Sequence, residues 1–134
     1  MNRPDDWLFS AKLDLKAAKV ALREDIPNIA CFHSHQTAEK AIKAVLLQQS
    51  GSVPKMHHLS ELLNKVTSTH PELNELEDKV QFLNEFYVPT RYPDALPGSL
   101  PECLPSEEAA RQAVESAQEI LDSVQPILSP KAQV

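Results

Sequence analysis

Apolar residues recur every three or four positions through most of this chain of 134 residues, and no stretch convincingly alternates apolar and polar side chains. This period matches the 3.6 residues per turn of an α-helix, so each stretch presents one apolar face. We therefore predict an all-α protein, an up-and-down bundle of four main helices plus a short helix, with a proline-rich loop before the last helix. One domain is expected over residues 1–126, followed by a frayed tail over residues 127–134.

Capping residues and helix breakers indicate where the helices begin. Helix 1 is expected over about 5–24, and helix 2 over about 28–49 with Asn28 as its N-cap. A short helix 3 begins near 59, helix 4 begins near Pro71, and helix 5 follows Ser106 as its N-cap. The apolar stripes predict these buried residues: Trp7, Ala11, Leu15, Ala18 and Leu22 in helix 1; Leu73, Leu76, Val80, Leu83 and Tyr87 in helix 4; Ala110, Ala113, Ala117, Ile120 and Val124 in helix 5.

A long proline-rich segment separates the last two helices. Proline stands at positions 89, 93, 97, 101 and 105, which excludes a helix and stiffens the connection. The segment also contains Arg91, Tyr92 and Asp94, which are residue types suited to holding a ligand. Two interpretations are open. Arg91 forms a structural ion pair with Asp94 or Glu39 while Tyr92 packs as a lid, or Arg91 and Tyr92 bind a ligand.

Composition limits the classes of function. The net charge of −6 disfavours non-specific binding of nucleic acids, and only two glycines argue against glycine-rich phosphate loops. The two cysteines, Cys31 and Cys103, have neither metal-site spacing nor a disulfide framework, and Cys31 is expected to be buried. No segment resembles a signal peptide or approaches the roughly 18 apolar residues of a membrane span. We therefore expect a cytoplasmic protein that has no membrane partner.

Helix 2 carries polar side chains in the middle of an otherwise apolar face. In one interpretation this helix lies at the rim of the bundle and exposes them to water, with Glu39 and Lys43 forming an i,i+4 ion pair. In the other, the face binds a ligand, and Lys43 holds phosphate oxygens together with Arg91. The candidate ligand-binding residues on this helix are His35, Gln36, Glu39, Lys40 and Lys43.

Three separated motifs resemble the HEPN family (higher eukaryotes and prokaryotes nucleotide-binding domains). Residues 32–44, with Ala-Glu-Lys followed by Lys-Ala, are similar to the signature of the family's second helix. Residues 57–63 resemble the start of its next helix, and residues 87–94 resemble its Tyr-x-x-x-Arg-Tyr-Pro-Asp segment. The three motifs occur in the family's order, and one departure is His35, where glutamine is more usual.

The resemblance implies a helical bundle, usually a homodimer, with a tie to nucleotides or RNA. Many small prokaryotic members are encoded beside a minimal nucleotidyltransferase and act as its partner. We therefore expect a non-catalytic module, dimeric and associated with a nucleotide or nucleic acid. It is expected to act with a nucleotidyltransferase in a toxin–antitoxin-like pair and to need no cofactor.

Two alternatives to this function are open. A large subset of the family consists of metal-independent ribonucleases, in which a histidine follows an arginine by four to six residues; those residues move a proton and stabilise the phosphoryl transition state. No arginine of this chain has a histidine at that distance. A ribonuclease would need a non-standard site, assembled from Arg91 and either His35 or His57. The other alternative is a purely structural helical interaction protein.

Helix 1 carries the most coherent positive surface of this acidic chain. Its cationic residues recur at spacings of four, three and four, one position after the apolar stripe, and so lie about 100° from the core face. They either extend beside the core as ordinary solvated lysines or contact RNA or an acidic partner. This basic flank consists of Lys12, Lys16, Lys19 and Arg23.

The histidines do not have the spacing of a metal site. His33 and His35 are two residues apart, and side chains at that separation do not face each other on a helix. The adjacent His57 and His58 precede a helix, where a capping turn is the ordinary role. We therefore expect no bound metal.

Overall fold

The computed structural model describes residues 3–86 and 105–128, and within these ranges it contains helices and no strand. The all-α prediction is thereby confirmed. None of these helices combines the length and apolarity that crossing a membrane requires. The helices are α1 (Pro4–Arg23), α2 (Pro27–Ser50), α3 (Leu59–Thr67), a 3₁₀ helix (Pro71–Leu76), α4 (Glu77–Asn84) and α5 (Glu107–Leu128).

Helix α2 lies at the centre of the bundle. It packs against α1 along much of its length and also contacts α3, α4 and α5. Thirteen of its residues, from Ala30 to Leu46, are buried, so almost the whole circumference of its middle turns faces protein. Helices α1 and α2 are antiparallel, because Ser10 contacts Lys40 while Asp14 contacts His33.

Prolines start the first two helices. Pro4 and Pro27 occupy the first turns of α1 and α2, where the missing N–H would have no intrahelical partner in any case. The predicted N-cap at Asn28 is wrong, because Ile26 is the N-cap and has no capping side chain. Between the helices, Asp25 adopts a left-handed φ of 59°, and Gly51, the C-cap that follows α2, has a φ of 79°.

The buried face of α1 differs from the predicted stripe only at its two ends. Ala11, Leu15 and Ala18 are buried as predicted, but Leu8 and Ala21 complete the face. Trp7 and Leu22 are half-buried at its edge. The prediction failed at the two ends of the stripe because two adjacent residues are apolar at each end, residues 7 and 8 and residues 21 and 22. Packing against α2 and α5 decides which residue of each pair is buried.

The segment predicted as helix 4 is divided in two. It begins at Pro71 as expected, but as a 3₁₀ helix, and becomes α-helical at Glu77. Its predicted core residues Leu73, Leu76, Val80 and Leu83 are buried. Tyr87, the last member of that stripe, lies outside the described residues.

The last helix confirms its predicted start and core. The backbone N–H of Ala109 donates to Ser106 Oγ at 3.0 Å, and all five residues of the predicted stripe are buried. The helix continues past Pro126 to Leu128, although the tail was expected to begin at residue 127. Its end is held by burial of Leu128 and by a 3.2 Å hydrogen bond that Gln48 donates to the carbonyl of Ile127.

Candidate functional site

A buried carboxylate on α2 gathers cationic and histidine side chains around it. Lys43 Nζ lies 3.0 Å from Glu39 Oε2, and His57 Nδ1 lies at the same distance from the same oxygen. His35 Nδ1 is 3.9 Å from the other oxygen, Oε1. We call Glu39, Lys43, His57 and His35 the Glu39 cluster. It joins α2 to the turn that precedes α3.

The burial of this cluster rules out a solvated rim. The side chains of Glu39 and Lys43 are only 7% and 6% exposed, and that of His35 is completely buried. The ion pair predicted between Glu39 and Lys43 is present, but the interpretation of a face presented to water is wrong. Because α3, α4 and α5 also pack on α2, these polar side chains lie inside the bundle.

The cluster reaches the surface through His57, whose side chain is 49% exposed. Since an ionised carboxylate only accepts hydrogen bonds, His57 Nδ1 must carry the proton and donate to Glu39. Its Nε2 atom is then an acceptor in the neutral ring and a donor in the imidazolium. His57 is therefore the member of the cluster best placed to meet a ligand.

Trp7 packs against the same cluster. The Lys43 ammonium lies 5.9 Å from the centroid of the Trp7 ring, within the range of a cation–π interaction. The ring is half-buried, so an aromatic surface adjoins the charged group. Lys43 is thus held by Glu39 on one side and by an indole on the other. The phosphate contact that it was expected to share with Arg91 stays a prediction, because Arg91 lies outside the described residues.

A second polar cluster connects α1 and α2. Lys40 Nζ lies 2.7 Å from Asp14 Oδ2, and His33 Nδ1 lies 2.9 Å from Asp14 Oδ1. Lys40 also donates to Ser10 Oγ at 2.8 Å. We call Asp14, His33, Lys40 and Ser10 the Asp14 cluster. Lys40 was predicted to share a ligand site with Lys43, but the two lysines belong to different clusters.

The Asp14 carboxyl has a lowered pKa. Burial acts to raise it, but the hydrogen bonds from His33 and Lys40 and the positive charge of Lys40 outweigh burial and hold the pKa below its usual value of 3.8. Asp14 is therefore ionised in the folded protein at neutral pH. Its contacts with His33 and Lys40 join α1 to α2 and have a structural role.

The remaining ligand candidates are only partly described. Gln36 is half-buried on α2, beside Lys40 and away from Lys43 along the helix. Arg91, Tyr92 and Asp94 lie outside the described residues, so neither interpretation of the proline-rich segment is tested. All four residues of the basic flank are exposed on α1, and Lys19 donates to Gln118 of α5 at 2.7 Å.

The remaining histidines and Cys31 occupy structural positions. The backbone N–H of Glu61 donates to the ring of His58 at 3.4 Å, which confirms the predicted capping role of that histidine. Across residues 3–86 and 105–128, no group of three histidine, cysteine or acidic side chains is arranged to hold a metal ion. Cys31 is buried as expected, and burial raises the pKa of its thiol to about 12.

Sequence reasoning missed two contributors to the Glu39 cluster. Trp7 was assigned to the hydrophobic core because it begins an apolar stripe. His57 was assigned to a capping turn or, in the ribonuclease alternative, to a site with Arg91, but not to a contact with Glu39. A signal for His57 was nonetheless present. The turn of residues 51–58 after α2 returns the chain toward that helix, so a histidine just before α3 is carried back to the polar face at Glu39.

Comparison with known proteins identifies relatives along almost the full chain. The family model described as the HEPN domain matches residues 4–127. A protein of Methanocaldococcus jannaschii named "Putative toxin MJ1304" is 31% identical over 134 residues, covering 93% of this chain and 88% of that protein.

Two crystal structures are similar in both fold and sequence. The protein TT1696 from Thermus thermophilus has a TM-score of 0.82 and 34% identity, over 93% of this chain and 98% of its own. ST0689, described as an archaeal HEPN homologue, has a TM-score of 0.75 and 32% identity, over 96% of this chain and 99% of its own. The helical arrangement is thus shared by experimentally determined proteins.

Removing one partner of the buried ion pair should destabilise the protein more than removing both. Glu39→Leu leaves the Lys43 ammonium buried without its carboxylate and should lower the free energy of unfolding by about 3 kcal/mol. Combining it with Lys43→Met removes both charges and should restore stability to within about 1 kcal/mol of wild type. Urea unfolding followed by far-UV circular dichroism measures both values. A double variant as unstable as Glu39→Leu would contradict this account.

The stabilising effect of Asp14 should disappear at low pH. The carboxylate stabilises the fold above its unfolded-state pKa of 3.8, and this contribution is lost as pH falls through the lower folded-state pKa. Asp14→Asn should lower the free energy of unfolding by about 1–3 kcal/mol at pH 7, and the difference from wild type should shrink below pH 3.8. Asp5→Asn, at an exposed pair with Arg3, is the control and should have little effect. A difference that stays constant with pH would contradict the assignment.

Proposed function

This chain belongs to the HEPN family, and we propose that it is a non-catalytic, dimeric module that binds a nucleotide or nucleic acid and acts with a nucleotidyltransferase partner. In this proposal the two proteins form a toxin–antitoxin-like pair. The naming of the Methanocaldococcus relative as a toxin supports that part of the proposal. The net charge of −6 favours a protein partner over free RNA as the principal contact.

The observation that carries the binding role is the Glu39 cluster. A buried ion pair contributes little net stability, because apolar side chains of similar volume would serve the fold as well. Its presence beside an exposed histidine therefore supports a role beyond folding. His57 supplies a hydrogen-bonding ring at the surface, and Trp7 supplies an aromatic face on which a base could stack.

The charges of the cluster favour binding over catalysis. Cleavage of RNA needs a group that stabilises the charged phosphoryl transition state in addition to a histidine. Lys43 is already neutralised by Glu39 at 3.0 Å. In the described ranges, Arg3 and Arg111 form their ion pairs with carboxylates two to four residues away in sequence. None of these cations supports His57 in a catalytic role.

Nucleotide binding should depend on His57 and not on the neighbouring His58. We expect ATP, GTP or a short single-stranded RNA to change the fluorescence of Trp7, the single tryptophan of the chain. His57→Ala removes the exposed ring at the cluster and should weaken binding by about tenfold, equivalent to about 1.4 kcal/mol. His58→Asn is the matched control, since asparagine can also cap α3, and it should bind as wild type does.

The same titration separates the alternatives. Failure of every nucleotide and RNA probe to change the fluorescence or the melting temperature would favour the purely structural interaction protein. The ribonuclease would be favoured if the protein shortens the RNA in the presence of EDTA and if this cleavage is lost in both Arg91→Ala and His57→Ala. Equal weakening by His57→Ala and His58→Asn would remove the Glu39 cluster from the proposed site.

Dimerisation and the partner are tested by solution mass. Light scattering after size-exclusion chromatography should give a mass of twice the 14.9 kDa chain at micromolar concentration. Co-expression with a nucleotidyltransferase encoded beside the gene should give a complex of fixed stoichiometry. A monomeric mass would contradict the dimer, and separate elution of the two proteins would contradict the partnership.

A further inference from the structure

The α1–α2 hairpin carries an unusual amount of exposed apolar surface. Of the described residues, the large apolar side chains that are exposed all belong to α1, the turn after it or the first turn of α2. Three of them lie on α1: Phe9 is 65% exposed, Leu13 is 53% exposed and Val20 is 40% exposed. The other two are Ile26 and Ile29. Apolar surface gathered on one part of a protein often marks an interaction site.

The three α1 residues share one face of the helix. Leu13 follows Phe9 by four residues and Val20 follows Leu13 by seven, which are spacings that return to the same side. At 100° per residue this side is opposite the face buried by Ala11, Leu15 and Ala18. We call Phe9, Leu13 and Val20 the apolar ridge.

The basic flank runs beside the apolar ridge. Lys12, Lys16, Lys19 and Arg23 lie between the ridge and α5, and the three lysines line a groove along Gln118, Asp122 and Gln125 of that helix. Lys19 is held by Gln118, and Asp122 accepts a 3.0 Å hydrogen bond from Gln118. Lys12, Lys16 and Arg23 form no ion pair with the carboxylates in residues 3–86 and 105–128. Their charge is therefore directed to solvent.

We propose that the apolar ridge and the basic flank together dock an amphipathic helix of a partner protein, one whose apolar stripe is bordered by acidic residues. The ridge supplies anchors at helical spacing, and the flank supplies a row of cations on one side of them. Acidic residues on the incoming helix would fix its orientation and accelerate its association. This proposal does not rest on nucleotide binding or on the identity of a nucleotidyltransferase.

A second copy of this chain packed antiparallel through α1 fits the surface poorly. In an antiparallel pair of α1 helices related by a two-fold axis, each flank meets the same flank of the other helix. Four cations would then face four cations, which disfavours that pairing. RNA fits poorly for a different reason. The most exposed face of α1, next to the basic flank, carries the apolar side chains of Phe9, Leu13 and Val20, which a phosphate backbone cannot pair with.

The test uses a fluorescein-labelled helical peptide as the probe. The peptide is about 20 residues long, with leucines at spacings of three and four and glutamates along one border of the leucine stripe; a matched peptide carries lysines in place of the glutamates. In fluorescence anisotropy, the full chain should bind the glutamate peptide at least about tenfold more tightly than the lysine peptide, a difference of about 1.4 kcal/mol. Equal binding of the two peptides, or binding of neither, overturns the proposal.

Surface variants assign the binding to this face. Two double variants should each weaken binding of the glutamate peptide by about tenfold or more. One combines Lys12→Glu with Lys16→Glu, and the other combines Phe9→Ser with Leu13→Ser. The control combines Lys55→Glu with Lys65→Glu, which makes the same change in net charge as the lysine variant of α1 but at exposed positions outside that helix. Its affinity for the glutamate peptide should stay within about twofold of wild type. Unchanged binding by the α1 variants overturns the proposal.

Two further outcomes would identify a different occupant and overturn the proposal. Conversion of a dimer to a monomer by Phe9→Ser with Leu13→Ser, in the absence of peptide, would make the ridge the contact between copies of this chain. Tighter binding of a single-stranded RNA of about 20 nucleotides than of the glutamate peptide, insensitive to the ridge variant, would make the flank an RNA surface.

Discussion

Helix α2 is buried around most of its middle turns, so the charged side chains there need partners of opposite charge. An unpaired charge at such a position would cost several kcal/mol of folding free energy. This requirement favours arrangements in which the elements packed on α2 bring complementary groups to its charged residues. Much of the tertiary structure around α2 can be understood from this single requirement.

Two elements bring such groups to adjacent parts of the surface of α2. Helix α1 brings Asp14 to Lys40 and His33, while the turn before α3 brings His57 to Glu39. Helix α2 contributes Lys40 to the Asp14 cluster, and both the carboxylate and Lys43 to the Glu39 cluster. An exchange of the two elements would bring the Asp14 carboxylate to that of Glu39 and separate it from Lys40. Specific packing and the candidate binding site thus derive from the same buried side chains.

Sequence periodicity was sufficient where one face of a helix is strongly apolar. The core of α5 was predicted correctly because the opposite face of that helix carries charged residues such as Arg111 and Glu115. The ends of the buried face of α1 were predicted less accurately, because two adjacent apolar residues at each end are equally able to be buried. The division of the segment that begins at Pro71 into 3₁₀ and α-helical parts also depends on tertiary packing, since its apolar spacing suits either form. Burial of Glu39 could not be inferred from spacing, since its partner His57 is 18 residues away in sequence.

The position of Cys31 gives the bundle a built-in reporter of its own opening. Its thiol is completely buried on the central helix, and burial raises its pKa to about 12, so both access and reactivity are suppressed in the closed state. With Cys103 replaced by serine, the rate at which an alkylating reagent modifies the chain would follow the fraction of molecules in which the surroundings of α2 have separated. The rate of thiol labelling at Cys31 would therefore measure how often the centre of the bundle is exposed to solvent.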